Sequence, residues 1–155
     1  MQISTNKNPW KTIILLTCIA GILDLTAASI QAWISGQLTP DQLLAYIASG
    51  VWGEEAFQGG YEMLLFGLLI HFTIVFACVF CFFWVYPKWP FLQLSISINA
   101  FLIGIIAWTI TTQMVIPLSR IPTQEFNLLN ALLAIFILIV CIGFPIALGA
   151  QRFYR

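Results

Sequence analysis

Hydrophobic positions in this chain fall into four long runs, at about 12–34, 61–86, 91–116 and 125–150, separated by short polar connections. At about 1.5 Å per residue, each run can cross roughly 30 Å of hydrocarbon as a helix. The pattern predicts four membrane spans with marked ends. Lys11 precedes the first, Gly59-Gly60 introduces the second and Pro87-Lys88-Trp89-Pro90 closes it. Pro117 stops the third, Thr123-Gln124-Glu125 offers an N-cap and first turn to the fourth, and Pro145 predicts a kink in its last third.

The connection 35–60 has a pattern of its own. Thr39-Pro40-Asp41-Gln42 combines an N-cap, a proline at the first helical position, an early acid and a capping-box glutamine. A helix over about 40–49 follows, with Leu43, Leu44, Tyr46 and Ile47 as its apolar face and Gly50 positioned to close it in the left-handed conformation. Such a segment lies in the membrane interface. The expected fold is therefore all-α, a transmembrane four-helix bundle with a short interfacial helix in the first extracytoplasmic loop, in one domain over 1–155.

Composition agrees with a bilayer as solvent: hydrophobic types make up 61% of the residues and charged types 8%, against roughly a quarter charged in soluble domains. The first run is too long for the core of a signal peptide and carries Asp24, so it reads as a retained helix. Six acids balance six bases, which gives no reason to expect nucleic acid as a partner. Lys7, Lys11, Lys88, Arg152 and Arg155 fall on one side of the bundle, and Arg120 on the other. The positive-inside rule then puts both termini in the cytoplasm and the acidic first loop outside. Trp10, Trp33, Trp52, Tyr61, Trp84 and Trp89 read as interfacial anchors.

Chemistry is sparse. Asp24 and His71, the single histidine, lie inside apolar runs, each about ten residues and so about 15 Å from the outer end of its helix. Thr17, Gly21, Asp24, Ala28 and Gln31 form a small or polar stripe on the first helix, and Gly60, Gly67, His71 and Cys78 one on the second. Ser95, Asn99, Thr109 and Gln113 extend the register to the third helix and Asn130 to the fourth, giving one polar seam. An unpaired carboxylate at such depth costs about 2.5 to 3.5 kcal/mol on insertion scales, so Asp24 is expected neutral or paired, with His71 as its partner. A histidine of reference pKa about 6.5 would make such a pair pH-responsive. The alternative is a structural hydrogen bond that fixes the bundle. The candidate ligand- or proton-binding residues are Asp24, His71, Gln31, Thr109 and Gln113, and Glu54, Glu55, Glu62 and Arg120 are candidates on the outer rim.

Other signals are weaker. Cys78-Phe-Phe-Cys81 has redox-motif spacing but sits in an apolar helix, where buried cysteine acts as a small hydrophobe. Cys18 and Cys141 also lie in apolar runs, against an extracellular disulfide framework. One histidine excludes intramolecular bis-histidine haem and leaves zinc short of its usual ligands, and no phosphate loop or nucleophile elbow is present. No cofactor or metal is expected.

Gly21-x-x-Asp24, Gly50-Val-x-Gly53-x-x-Ala56-Phe57-x-Gly59-Gly60, Gly67-x-x-x-His71-Phe72, Tyr86-Pro87-Lys88 and Pro117-Leu118-Ser119 together resemble a bacterial family of small four-span inner-membrane proteins of uncharacterised activity. The stretch from His71 to Pro122 is distantly similar to YagU-type inner-membrane proteins. The resemblance implies a bacterial inner-membrane location and brings no activity, cofactor or catalytic residue. The reading that follows is a non-enzymatic membrane protein whose Asp24/His71 site binds a proton, a lipid or a small ligand, or supports assembly with itself or a membrane partner. The alternatives are an oligomeric proton-coupled transporter or channel, and a lipid-modifying enzyme with His71 as base. In a bacterial host, alkaline phosphatase fused after Arg155 is expected to be inactive and a fluorescent protein there bright, while a phosphatase inserted near Gln37 should be active. The reverse pattern would overturn the orientation.

Overall fold

The computed structural model describes residues 8–93, 95–116, 120 and 127–155. Lys7, most of the 117–123 hairpin and the Thr123-Gln124-Glu125 helix start lie outside the described residues. Among the described residues, four helices are long and apolar enough to cross a membrane, and there is no strand.

Helix α1 (Pro9–Ile34) opens on Asn8, whose side chain accepts the Trp10 N–H at 3.0 Å. Helix α2 (Pro40–Trp52) opens on the expected cap, with the Gln42 side-chain oxygen taking the Thr39 N–H at 3.0 Å. The Thr39 hydroxyl, helped by the backbone N–H groups of Asp41 and Gln42, holds the exposed Asp41 carboxyl below the ordinary range. The helix does not stop at Gly50. It runs on to Trp52, which packs on Phe66 at 4.6 Å, and Gly53 takes the positive φ of 67° that Gly50 was expected to supply.

A 3₁₀ turn, Gly53–Phe57, leads into α3 (Gly60–Val85). Two more such turns, Tyr86–Lys88 and Pro90–Gln93, delay the next helix, so that α4 (Ile96–Ile110) starts on Ser95 rather than near Phe91. The Asn99 amide explains the delay: it donates back to the Leu92 carbonyl and folds the turn onto the first turns of α4. Helix α4 ends in a π-helical turn, Thr111–Val115. The last span is α5 (Leu128–Leu138), a second π-helical turn, Ile139–Gly143, and α6 (Phe144–Tyr154). The second turn is how the chain accommodates Pro145. In an α-helix its ring would strike the Cys141 carbonyl, whereas here Phe144 N–H bonds five residues back to Ile139.

Packing forms an open arc. Helix α3 lies on α1 and α2, α1 on the last span, and the last span on α4, whereas α3 and α4, although consecutive spans, touch at most marginally. The core occupies the half of the bundle near Pro9 and Tyr154, where Ile13, Leu16 and Ala20 meet Val75, Val79, Phe83, Ile103, Ile142, Ile146 and Ala150. There α3 is tied to α6 by the Tyr154 hydroxyl, which donates to the Phe83 carbonyl at 2.9 Å, and by Phe83 against Phe153 at 5.8 Å. Above Ala20 and Val75 the arc spreads. Large apolar side chains around the outside, among them Ile14, Ile22, Leu69, Phe101, Leu132 and Phe136, are exposed, as a surface turned to lipid requires. Trp10, Trp33, Trp84, Trp89 and Tyr61 are exposed toward the ends of the spans, and the Lys88 ammonium lies 3.2 Å over the Trp84 ring.

Two glycines set the close crossing of α4 with the last span. A methyl group on Gly104 would lie 2.8 Å from the Ile139 backbone, and one on Gly143 would run into the Ala100 carbonyl. Backbones that near are the membrane substitute for hydrophobic burial, because lipid tails are as apolar as the helices. Gly67 does the same for α2, whose Leu44 carbonyl rests on α3 at that point. Gly143→Leu is expected to cost at least the roughly 1–3 kcal/mol of an overpacked core and to unfold the bundle in mild detergent. Gly67→Leu should free α2 alone, seen as faster hydrogen exchange over 40–52 with the spans unchanged.

Candidate functional site

Where α3 and α4 part, they enclose a cavity of about 900 Å³. Its outer end is roofed by Leu43, Tyr46, Ile47 and Val51 of α2 and by Thr111 and Val115 of the π turn after α4. Its inner end is floored by Phe82, Val85, Trp89, Phe91 and Leu92. The back wall is α1 with Asp24, Leu25 and Ala28, and the last span with Leu138 and Ile142. Ile74, Ala77 and Cys81 on one side and Ile106 and Ile110 on the other line the cavity and are exposed as well. Those five residues frame a mouth that opens sideways into the bilayer.

Two ionisable groups of opposite kind sit in this apolar space, Asp24 from α1 and His71 from α3. The helices bring them to one level because the core below sets the register, with Ala20 a turn beneath Asp24 and Val75 a turn beneath His71. A backbone carbonyl can only accept, so the 3.1 Å contact between His71 Nε2 and the Gly21 oxygen places a proton on Nε2 and leaves Nδ1 as the free ring position. Gly21 permits this, since the Phe72 ring occupies the space where its side chain would be. Asp24 is 9% exposed and takes no hydrogen bond from any described residue. It lies within electrostatic reach of His71, Cys78 and Cys141 without a direct bond to the imidazole. Its neighbours on the same helix are satisfied locally: the Thr17 hydroxyl donates to Ile13 O at 2.9 Å and Thr26 to Ile22 O at 2.6 Å.

The other expected residues lie elsewhere. Gln31 donates from Nε2 to the Asn130 carbonyl at 3.3 Å, a tie between α1 and α5 outside the cavity. Thr109 and Gln113 are exposed and line none of it. The inward face of α4 runs through Asn99, Ala100, Ile103, Gly104 and Ala107, and the π turn then brings in Thr111. Glu54, Glu55 and Glu62 are exposed. Arg120 is held at the end of α2 by its N–H on Gly50 O at 3.2 Å, with its side chain against Gly53. Among the described residues, no group of three or more His, Cys, Asp or Glu side chains is placed to hold a metal ion.

Sequence reasoning missed Tyr46 and Thr111 as lining residues. Tyr46 was visible as part of the apolar face of α2, and burial pushes its phenol above the ordinary range, so it lines the outer end as a neutral hydroxyl. Thr111 was hidden because the polar stripe drawn through Asn99 follows one edge of the buried face, whereas Ile103, Ala107 and Thr111 continue its middle at four-residue steps. Cys78 and Cys81, set aside on composition, both line the cavity with free thiols.

Comparison with protein-family models, curated proteins and solved structures yields no match to this chain.

The two ionisable groups should respond oppositely to removal. Asp24→Leu takes away a polar group without a donor and is expected to raise the thermal unfolding midpoint, with insertion scales putting the relief at about 2.5–3.5 kcal/mol. His71→Phe removes the second hydrogen bond on the Gly21 carbonyl and should lower stability by about 1 kcal/mol. Thermal unfolding of both variants in nanodiscs checks this; a loss of stability on removing Asp24 would mean that it is a structural bond after all.

Proposed function

We propose that this chain is a small multi-pass membrane protein that draws an apolar or amphipathic molecule from the bilayer into the cavity between α3 and α4 and holds it beside Asp24 and His71 without converting it. One observation carries the reading: consecutive spans stand apart around a continuous apolar space whose mouth faces lipid and whose back wall bears a carboxyl group with no partner. A volume of about 900 Å³ is near the top of the roughly 300–1,000 Å³ range of small-molecule sites.

The charge distribution supports cytoplasmic termini, and the resemblance drawn above supports a bacterial inner membrane. A second reading, an oligomeric proton-coupled carrier, is favoured by the length of the cavity, which runs from the α2 roof to Trp89 and Leu92 near the opposite face. Four spans alone rarely enclose a path, so that reading needs a second copy.

Native mass spectrometry of protein purified from membranes should show a retained lipid-class molecule of unchanged mass over time. Ala77→Trp with Ile106→Trp, which narrows the mouth, should reduce its occupancy by about tenfold, as expected where binding depends on a preformed pocket. Equal occupancy in the narrowed variant would place the molecule elsewhere.

A further inference from the structure

The cavity has a charge preference that its apolar walls conceal. Asp24 faces it as a carboxyl group 9% exposed, with no hydrogen-bond donor among the described residues and with no lysine or arginine lining the space. Lys88 is turned onto Trp84 outside the inner end, and Arg120 is held at the outer loop. His71 lies within electrostatic reach of Asp24 but spends its one hydrogen bond on Gly21 and makes none to the carboxyl. A buried carboxylate is tolerated only when it is bonded, paired or neutralised by a proton, and here no side chain bonds it directly.

Resting on the cavity reading, we infer that the occupant is a lipophilic cation, an amine or onium group carried on bulky apolar substituents, whose positive charge is neutralised by Asp24. A neutral lipid would leave the carboxyl unpaired and an anion would face it with the same sign. Aromatic rings at both ends of the cavity, Tyr46 at the roof and Phe82, Trp89 and Phe91 at the floor, suit the substituents of such a molecule and attract its charge in passage. The sideways mouth suits it too, because a hydrophobic cation concentrates in the membrane before it binds. Cation and proton then compete for one carboxylate. The titratable groups facing Asp24 are His71 and Cys78 from α3 and Cys141 from the last span.

The test uses the full chain in nanodiscs with three probes of similar shape: tetraphenylphosphonium, neutral triphenylphosphine oxide and anionic tetraphenylborate. Equilibrium dialysis should show the cation bound about tenfold or more tighter than either of the others. Asp24→Asn should remove that advantage while leaving the neutral probe within about twofold of its original affinity, which also shows that the variant is folded. His71→Gln should keep the preference for the cation. Equal binding of cation and neutral probe, unchanged in Asp24→Asn, overturns the cation and leaves the cavity as a lipid site. Failure of every probe to bind, or crosslinking that shows a second copy closing the mouth, overturns the cavity reading as well.

Discussion

The structure depends on how closely two backbones approach where α4 crosses the last span. Gly104 lies on Ile139, and Gly143 on the Ala100 carbonyl, leaving no room for a side chain at either contact. In lipid this contact gains dispersion and loses nothing to water, so it fixes the position of α4. A helix held there cannot also lie on α3, which is drawn the other way by α1 and by the Leu44–Gly67 contact with α2. The gap between them is a result of two tight contacts on either side rather than of loose packing.

That division also locates the polar groups. The core fills the end of the bundle where Tyr154 ties α6 to α3, and it stops at Ala20, Val75 and Ile142. One turn further out, the same faces of α1 and α3 carry Asp24 and His71, which therefore look into open space. The imidazole is anchored to Gly21 and the carboxyl is not anchored to anything. Such an asymmetric pair positions one member and leaves the other available to whatever enters.

Much of this architecture could be read from period and punctuation. Four apolar runs gave four spans, and Thr39-Pro40-Asp41-Gln42 marked the start of α2 to the residue. The common level of Asp24 and His71 followed from counting residues inward from the helix ends. What periodicity could not supply was which side of the third span turns inward. The stripe extended from Asn99 to Thr109 and Gln113 follows polar residue types, whereas the inward face of α4 is mostly apolar and runs through Ile103 and Ala107 to Thr111. Nor does any local pattern reveal that consecutive spans will be separated, since that is decided by glycines 104 and 143, far apart in the chain.

The two π turns stand in the same relation to a proline in the sequence. Gly143 lies two residues before Pro145, which cannot complete a regular helix, and Val115 lies two residues before Pro117. Each turn holds one residue more than regular geometry needs. Loss of a single amino acid from either would tighten the turn and press the proline ring toward the carbonyl four residues back, so length is fixed on both walls of the cavity.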